Sequence, residues 1–337
     1  MFSVTGLRLV SGGHYTGQPG GDVVDRQSIA AVRHVVEVGQ FDRSGIERLF
    51  AAADRMRDLP RQAAPLAGFT LATIFYEPST RTRLSFETAM HKLGGNVIST
   101  ENAREFSSAI KGESVEDTVR IVGGYADAIV IRHYEQGSAH RAASVATVPI
   151  LNGGDGPGEH PSQALLDLYT IGHELGRIDG LRVALVGDLR YGRTARSLAR
   201  LFRLTAGTEL IFVSPPAVPM GDDVRAELDG SGIPYRDEPD LDAVLPHVDV
   251  VYQTRVQKER FTTPEEYESA RGQYVIDGAA MRRLSPTAIL LHPLPRVDEI
   301  ATEVDADPRA AYFRQAHNGV FIRMALLDHV LGNQSQS

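Results

Sequence analysis

Short apolar runs rich in β-branched residues alternate with amphipathic stretches along most of this sequence. A first series lies at 71–76, 95–99, 127–132 and 148–152, and a second at 182–187, 209–214, 248–254, 273–277 and 288–293. Strands that alternate with helices pair in parallel, and both faces of such a sheet are buried. The alternation therefore predicts an α/β chain with two doubly wound parallel-sheet domains.

Helical spacing of apolar residues marks the segments between these runs. Amphipathic patterns cover 44–59, 113–126 and 161–176, and a last apolar stretch at 319–332 predicts a terminal helix. Pro161 suits the first turn of its helix, where a missing backbone N–H costs nothing. We expect the 161–176 helix to join the two domains.

Composition narrows the function classes. The 337 residues carry a net charge of -8, which argues against a general nucleic-acid binder. The sequence contains no cysteine, so disulfides, thiolate metal sites and cysteine nucleophiles are excluded. No long uncharged apolar run predicts a membrane span, and the first residues do not resemble a signal peptide. A cytoplasmic location is therefore expected.

Cations and hydroxyls gather where the predicted strands end. Such side chains occur at 79–82, 132–133, 188–193, 255–260 and 292–296, and His160 follows a glycine-rich loop after another strand. Ligands of open α/β sheets bind beyond the carboxyl ends of the strands. Gathered cations repel one another unless an anion joins them. The pattern predicts small polyanionic ligands.

The segment Ser79-Thr80-Arg81-Thr82-Arg83 lies where a strand passes into a helix. One hydroxyl could simply cap the helix. A cap does not explain two arginines at the positive end of the helix dipole, where a cation is unfavourable. A helix N-terminus binds phosphate readily, and arginine can grip it through two hydrogen bonds. We predict a phosphate site, with Arg83 assigned to scaffold contacts.

Other phosphate and nucleotide motifs do not fit. The sequence has no GxxxxGK[ST] loop, and the glycines of 153–160 lack the GxGxxG spacing. His160 could be a structural histidine. Its place between the glycine-rich loop and the predicted helix favours a site role.

Several ordered motifs resemble the aspartate/ornithine carbamoyltransferase family. They are STRTR with LSFE from Ser79, EHPSQALLDLYTI from Glu159, VGDLRYGRT from Val186, TRVQKER from Thr254, HPLPRVDEI from His292 and PRAAYFRQAHNGVFIRMALL from Pro308. The resemblance runs from about Val35 to Gly332. It implies a carbamoyl-phosphate-binding domain at 31–160, completed by a C-terminal helix at 318–333 that packs back on it. An aspartate-binding domain would occupy 161–317, and 1–30 would be a flexible extension.

The implied reaction moves a carbamoyl group from carbamoyl phosphate to the amine of L-aspartate, a step of pyrimidine synthesis. Such a transfer needs positioning and cationic stabilisation more than a nucleophilic side chain. The resemblance implies that Arg81 stabilises the leaving phosphate, while Thr82, Arg132 and His160 surround the carbonyl oxygen. These four are the candidate catalytic residues.

The resemblance also implies the remaining carbamoyl-phosphate contacts. Ser79 and Thr80 would hold the phosphate together with Arg81 and Thr82. Gln163 and the backbone carbonyls of Pro293 and Leu294 would bind the carbamoyl NH2 group, in a turn where the bond before Pro295 is cis. The implied ligand set is Ser79, Thr80, Arg81, Thr82, Arg132, His160, Gln163, Pro293, Leu294 and Pro295.

The aspartate carboxylates would be bound by Arg193, Arg255 and Gln257, and Lys111 would complete this set. Ser107 and Lys111 lie in a polar loop that by composition could be only a loop. The resemblance implies that a neighbouring subunit donates this loop, so a homotrimer with shared active sites, or a larger assembly, is expected.

Some interpretations stay open at this stage. The run at 255–260 could be a solvated charge cluster, and Glu77 and Asp188 are weak candidates for positioning arginines. Two alternative functions remain. The chain could be a transcarbamoylase for another amine acceptor such as ornithine, or a non-catalytic partner that binds carbamoyl phosphate. An ornithine enzyme would carry His-Cys-Leu-Pro, and this chain has no cysteine. No metal, organic cofactor, nucleic-acid or membrane partner is implied, and regulatory or dihydroorotase partner chains are left undecided.

Overall fold

The nine strands described below form two parallel sheets, as the alternating runs predict. The computed structural model describes residues 34–103, 112–256 and 263–332. The strands are β1 Thr70–Phe75, β2 Asn96–Glu101, β3 Ala128–His133, β4 Ile150–Asp155, β5 Arg182–Val186, β6 Glu209–Val213, β7 Tyr235–Asp237, β8 Val250–Gln253 and β9 Ile289–Leu291.

The first sheet has the strand order β2-β1-β3-β4, and every pairing in it is parallel. Leu71 of β1 pairs with Val97 on one side and with Ala128 on the other. The second sheet has the order β7-β6-β5-β8-β9, also parallel throughout. Residues of β5 and β8 are buried almost completely, as expected for central strands covered on both faces.

One predicted strand is wrong and one strand was missed. Residues 273–277 form no strand, because Ile276 makes only an isolated bridge to Ile300 and Asp277 caps the next helix. The missed strand is β7, which lies beside β6 at one edge of the second sheet. Its three residues are half-buried or exposed. A short edge strand has one solvent-facing side, so its sequence carries no apolar run to reveal it.

The helices pack on the two sheets. They are α1 Arg43–Arg57, α2 Thr80–Lys92, α3 Val115–Val122, α4 Ser138–Val145, α5 Pro161–Leu175, α6 Arg193–Leu201, α7 Asp222–Ser231, α8 Leu241–Val244, α9 Pro264–Ala270, α10 Gly278–Arg283 and α11 Tyr312–Leu331. The terminal helix α11 begins seven residues before the apolar stretch that predicted it. Within the described residues, no helix is long and apolar enough to cross a membrane.

The C-terminal helix packs back on the first half of the chain, as the resemblance implies. α11 contacts α1, α2 and α5, and its Phe321, Ile322 and Leu326 are buried in the core that these helices share. Arg57 of α1 donates a hydrogen bond of 2.9 Å to Asn318 of α11 and stacks over the ring of Phe321. These contacts fix the C-terminal helix to α1.

Both sheets have a topological switch point, where the connections that follow two neighbouring parallel strands lead to opposite edges of the sheet. The first lies between β1 and β3 and the second between β5 and β8. Ligands of open α/β sheets bind at such points, beyond the carboxyl ends of the strands. The fold therefore offers two binding crevices, and the residues that follow β1, β3, β5 and β8 decide what they can hold.

Candidate active site

A single large cleft joins the two switch points. Its volume is about 730 Å³, and residues from the ends of β1, β3 and β8 and from the loop after β5 line it. The cleft contains the following predicted site residues: Ser79, Thr80, Arg81, Thr82, Arg132, His160, Gln163, Arg193, Arg255, Pro293, Leu294 and Pro295. The structure thus brings together side chains that are more than 200 positions apart in sequence. Ser107, Lys111 and Gln257 lie outside the described residues.

Three helices begin at this cleft without a side-chain cap. The N-cap residues are Ser79 for α2, His160 for α5 and Gly192 for α6, and none of them makes a capping hydrogen bond through its side chain. None of these helices has an acidic residue in its first turn. Their positive dipole ends therefore favour an anion in the cleft.

Five arginines face one carboxylate across the cleft. The arginines are Arg81, Arg132, Arg193, Arg255 and Arg323, and the carboxylate belongs to Glu77. Glu77 lies 3.6 Å from Arg132, at the end of β3, and 3.7 Å from Arg193, at the start of α6. It joins cations of both sheets at distances too long for strong hydrogen bonds. The excess positive charge fits a ligand with several negative charges.

Gly154 allows two of these arginines to approach each other. Its φ is +114°, a conformation that favours glycine, and a Cβ there would lie 2.8 Å from Nη1 of Arg132. The same Cβ would lie 2.9 Å from Cζ of Arg193. Both guanidinium groups are held by backbone oxygens, since Arg132 donates to Gly153 at 3.0 Å and Arg193 to Gly156 at 2.6 Å.

His160 is a buried histidine at the floor of the cleft. Its Nε2 lies 3.4 Å from Oγ1 of Thr82, and its backbone N–H donates to Ser197 at 3.2 Å. Burial, and then the charges of Arg193, Arg132 and Arg323, hold the pKa of His160 well below its usual value. The imidazole is therefore neutral at physiological pH in the unliganded protein, a question that the sequence left open.

The segment after β9 presents its backbone to the cleft. The bond between Leu294 and Pro295 is cis, as the resemblance implies, and Leu294 has a φ of +56°. His292 anchors this turn: its Nδ1 accepts the N–H of Leu294 at 2.8 Å, and its Nε2 contacts Glu299 at 2.8 Å. Because Nδ1 is an acceptor, the ring hydrogen lies on Nε2 and is donated to Glu299.

Arg323 is a cleft residue that the sequence analysis missed. It lies in the middle of α11, is 3 % exposed, and sits 5.0 Å over the ring of Phe86. Its Nε has no hydrogen-bond partner among the described residues, and burial lowers its pKa to about 10. The only sequence signal was an arginine inside the apolar pattern 319–332, where a charge is costly unless it serves a ligand or a partner.

Two further predicted residues have other surroundings. Arg83 turns away from the cleft and pairs with Glu101 at 2.8 Å and Glu87 at 3.5 Å, which agrees with its assignment to the scaffold. Asp188 is fully buried, and its carboxylate accepts the N–H of Tyr191 at 2.9 Å in the turn before α6. Both shape the surroundings of the site. Among the described residues, no cluster of three His, Asp or Glu side chains could hold a metal ion.

Two parallel-sheet domains with an arginine-rich cleft at their switch points define an α/β enzyme for anionic substrates. Family models agree: "Aspartate/ornithine carbamoyltransferase, carbamoyl-P binding domain" matches residues 33–173, and "Aspartate/ornithine carbamoyltransferase, Asp/Orn binding domain" matches 179–330. The chain belongs to the aspartate/ornithine carbamoyltransferase family, and it is a carbamoyl-transferring enzyme.

Several individual relatives named as aspartate carbamoyltransferases are similar to this chain over most of its length. The chloroplastic aspartate carbamoyltransferase of Arabidopsis thaliana is 55% identical, over 88% of this chain and 77% of that protein. The catalytic subunit of M. jannaschii aspartate transcarbamoylase superposes with a TM-score of 0.83 at 44% identity, covering 90% of this chain and 99% of that one. The Trypanosoma cruzi enzyme in complex with carbamoyl phosphate and aspartate gives 0.82 at 42% identity, covering 88% and 96%.

The expected cytoplasmic location is wrong by these comparisons. The relatives from Arabidopsis thaliana, Pisum sativum and Oryza sativa, at 55%, 54% and 53% identity, are all chloroplastic proteins. These relatives contradict the expected cytoplasmic location. Composition could not have revealed this, since the absence of cysteine and of apolar runs is compatible with either compartment.

Proposed function

We propose that this protein transfers the carbamoyl group of carbamoyl phosphate to L-aspartate, giving N-carbamoyl-L-aspartate and phosphate in pyrimidine synthesis. The observation that carries the proposal is the convergence of five arginines and three uncapped helix N-termini on one cleft. The T. cruzi relative, which binds both substrates in its crystal structures, supports it.

The phosphate lies at the start of α2 in this proposal. Ser79, Thr80 and Thr82 donate hydroxyl hydrogen bonds, and the backbone N–H groups of the first turn add their own. Arg81, which is exposed in the cleft, binds the bridging side of the phosphate and stabilises the charge that grows there. The neutral amine adds to the carbonyl carbon, which becomes tetrahedral. The bond from that carbon to the phosphate oxygen then breaks, and the proton that the amine nitrogen loses is taken up by the departing phosphate.

Thr82, Arg132 and His160 surround the carbonyl oxygen while the carbon is tetrahedral. Arg132 supplies the positive charge, and neutral His160 supplies a hydrogen bond. Removal of one preorganised donor of this kind costs about 3 kcal/mol of transition-state stabilisation. Gln163 and the carbonyl groups of Pro293 and Leu294 accept hydrogen bonds from the carbamoyl NH2, next to the turn at Pro295.

The acceptor is a dicarboxylate rather than a diamine. Arg193 and Arg255 bind the two carboxylates of aspartate, with Gln257 and the neighbouring subunit's loop residues Ser107 and Lys111 completing the site. Ornithine would bring a second ammonium group into a cleft with five arginines and one carboxylate, which is electrostatically unfavourable. The charge balance of the cleft therefore favours aspartate.

The same proposal assigns the domains and the assembly. Residues 31–160 with 318–333 bind carbamoyl phosphate and 161–317 bind aspartate; the expected extension at 1–30 lies outside the described residues. A homotrimer completes each site with a neighbour's loop, so two inactive variants, Arg81→Ala and Lys111→Ala, should regain activity when mixed and reassembled. Mixtures that stay inactive, or monomers that are fully active, contradict shared sites.

One assay tests the reaction. The purified chain is given carbamoyl phosphate with aspartate, ornithine or another amine, and the products are identified by mass. We expect carbamoyl aspartate to dominate. If ornithine is carbamoylated and aspartate is untouched, the proposed acceptor is wrong.

A further inference from the structure

Asp167 lies at the centre of a buried polar network beside the cleft. Its side chain is fully buried on α5, one turn after Gln163. Three donors reach its carboxylate: Nε2 of Gln163 at 2.8 Å and Nε2 of Gln315 at 2.6 Å on Oδ1, and the hydroxyl of Tyr252 at 2.7 Å on Oδ2. These donors belong to α5, α11 and β8, so the network ties together the elements around the cleft floor.

The hydrogen bond to Asp167 fixes the orientation of the side-chain amide of Gln163. An amide has one donor end and one acceptor end. Since Nε2 of Gln163 is used by Asp167, Oε1 is the end left for the cleft that Gln163 lines. A proton on Oδ2, shared with Tyr252, would leave Oδ1 an acceptor, so the orientation holds in both protonation states of Asp167.

The same network reaches the backbone segment on the other side of the cleft. Gln315 donates to Asp167 through Nε2, so its Oε1 is the end that accepts the N–H of His292 at 2.9 Å. His292 in turn accepts the N–H of Leu294 at 2.8 Å. Gln315, Asp167 and His292 are each at most 2 % exposed, so water does not compete for these bonds. One chain of hydrogen bonds thus connects Gln163 with Leu294.

We propose that Asp167 is a positioning residue that makes the site selective for an NH2 group on the acyl carbon of the phosphate donor. It turns Oε1 of Gln163 into the cleft and, through Gln315 and His292, fixes the 293–295 backbone carbonyls that accept from the same NH2. The proposal rests on the proposed function, because it assumes that the carbamoyl group binds between Gln163 and Leu294.

Acetyl phosphate tests this directly, because it replaces the NH2 of carbamoyl phosphate by a methyl group of similar size. Binding of both compounds to the full chain is measured by calorimetry for the wild type and for Asp167→Leu. Leucine is of similar size but has no acceptor atom, so nothing holds Nε2 of Gln163 away from the cleft. We expect carbamoyl phosphate affinity to fall about 10- to 100-fold and acetyl phosphate affinity to stay within about twofold.

Tyr252→Phe is the matched control. It removes the donor on Oδ2 but leaves the bond between Asp167 and Gln163, so we expect the ratio of the two affinities to stay at the wild-type value. Equal weakening of both compounds in Asp167→Leu would reduce Asp167 to a structural role and overturn the proposal.

Two outcomes separate this proposal from the proposed function. A wild-type chain that does not carbamoylate aspartate refutes the function, whereas an active wild type with an unchanged ratio in Asp167→Leu refutes only the positioning role. If Asp167→Leu does not fold, Gln315→Met removes the bond between Gln315 and Asp167 instead. A lowered ratio in that variant supports the proposal, and a wild-type ratio overturns it.

Discussion

Four helices that begin away from the cleft have a side-chain cap that the three helices at the cleft lack. The helices α4, α7 and α11 also begin without one, at Gly137, Gly221 and Ala311, whose side chains cannot accept a hydrogen bond. α1, α3, α8 and α10 start at Asp42, Ser114, Asp240 and Asp277, and each of these side chains accepts a hydrogen bond from a backbone N–H of the first turn. None of those four residues lines the cleft. At the cleft, α2, α5 and α6 start without such a bond. A cap typically stabilises a helix by about 1 kcal/mol, so the cleft forgoes stability that the same chain obtains elsewhere.

The arginines show the same contrast. On the surface, Arg43 pairs with Asp179 at 2.7 Å, and Arg314 pairs with Glu174 at 2.7 Å. In the cleft, Arg132 and Arg193 share Glu77 at 3.6 and 3.7 Å. Uncapped helix starts and an excess of positive charge in one place indicate an anionic substrate. The cleft lacks caps and close ion pairs that would stabilise the fold, and this local loss of stability marks the functional site.

The largest effect is expected for Arg81→Ala. Loss of this cation should lower turnover on the order of a thousandfold, with a smaller effect on aspartate binding, because it stabilises charge on the leaving phosphate. Steady-state kinetics with both substrates measure this. Arg83→Ala is the control: it breaks ion pairs to Glu101 and Glu87, costs at most about 1 kcal/mol of stability, and leaves turnover intact. Unchanged turnover in Arg81→Ala would refute the role of that residue.

Gly154→Ala should displace the two arginines that meet at its Cα. A methyl group there overlaps Arg132 and Arg193, so we expect kcat/KM to fall about 10- to 100-fold. Gly68→Ala carries a similar backbone strain, with φ at +90° and no atom within 4 Å of the added Cβ. It should lose about 1 kcal/mol of stability and no activity. Equal activity losses in the two variants would show that strain, not displaced arginines, is responsible.

A surface carboxylate and a carboxylate beside the cleft also differ in how their ionisation affects the free energy of unfolding. Hydrogen bonding to Arg43 lowers the pKa of Asp179, whereas burial raises the pKa of Asp167 to about 7. In the folded protein Asp167 keeps its proton above its ordinary pKa of 3.8, so its ionisation opposes folding. The free energy of unfolding should therefore fall as pH rises from about 4 to 7, by a few kcal/mol from this group. Urea unfolding at several pH values should show this slope flattened in Asp167→Asn; an identical slope contradicts it.

The smallest effects are expected for substitutions at two helix starts, the capped start of α1 and the uncapped start of α2. Asp42→Ala removes a cap that accepts from Gly45 at 2.6 Å and should cost about 1 kcal/mol of stability without changing turnover. Ser79→Ala removes no cap, so its stability should stay near wild type, while phosphate affinity falls up to about tenfold. Denaturant unfolding and calorimetry separate the two. A stability loss in Ser79→Ala as large as that in Asp42→Ala would erase the contrast.

Sequence patterns predicted the features that repeat or that stand at strand ends. Apolar runs located eight of the nine described strands. Seven of these are mostly buried, as strands covered on both faces are, whereas the edge strand β2 is half-buried or exposed. The runs also pointed to Arg81, Arg132 and His160, since residues just after parallel strands meet at one edge of a sheet. The edge strand at Tyr235–Asp237 was missed because its three residues include two charged side chains and form no apolar run.

Residues inside helices could not be predicted in the same way. Asp167 and Gln315 are polar positions in helices whose inward faces depend on how α5, α11 and β8 pack. Arg323 lies in an apolar stretch that is typical of a core helix, and only the fold shows that it lines the cleft. Long-range packing, rather than local pattern, assigns these roles.

Ser79→Asp tests the central claim most directly, through the free energy of unfolding measured with and without inorganic phosphate. An aspartate at this position can cap α2 and occupy the anion site with its own charge. We predict that the variant is more stable than the wild type without phosphate and gains nothing from it. The wild type should gain about 2.7 kcal/mol at a phosphate concentration of 100 times Kd. A variant that is less stable than the wild type, and that phosphate stabilises equally, would contradict the account.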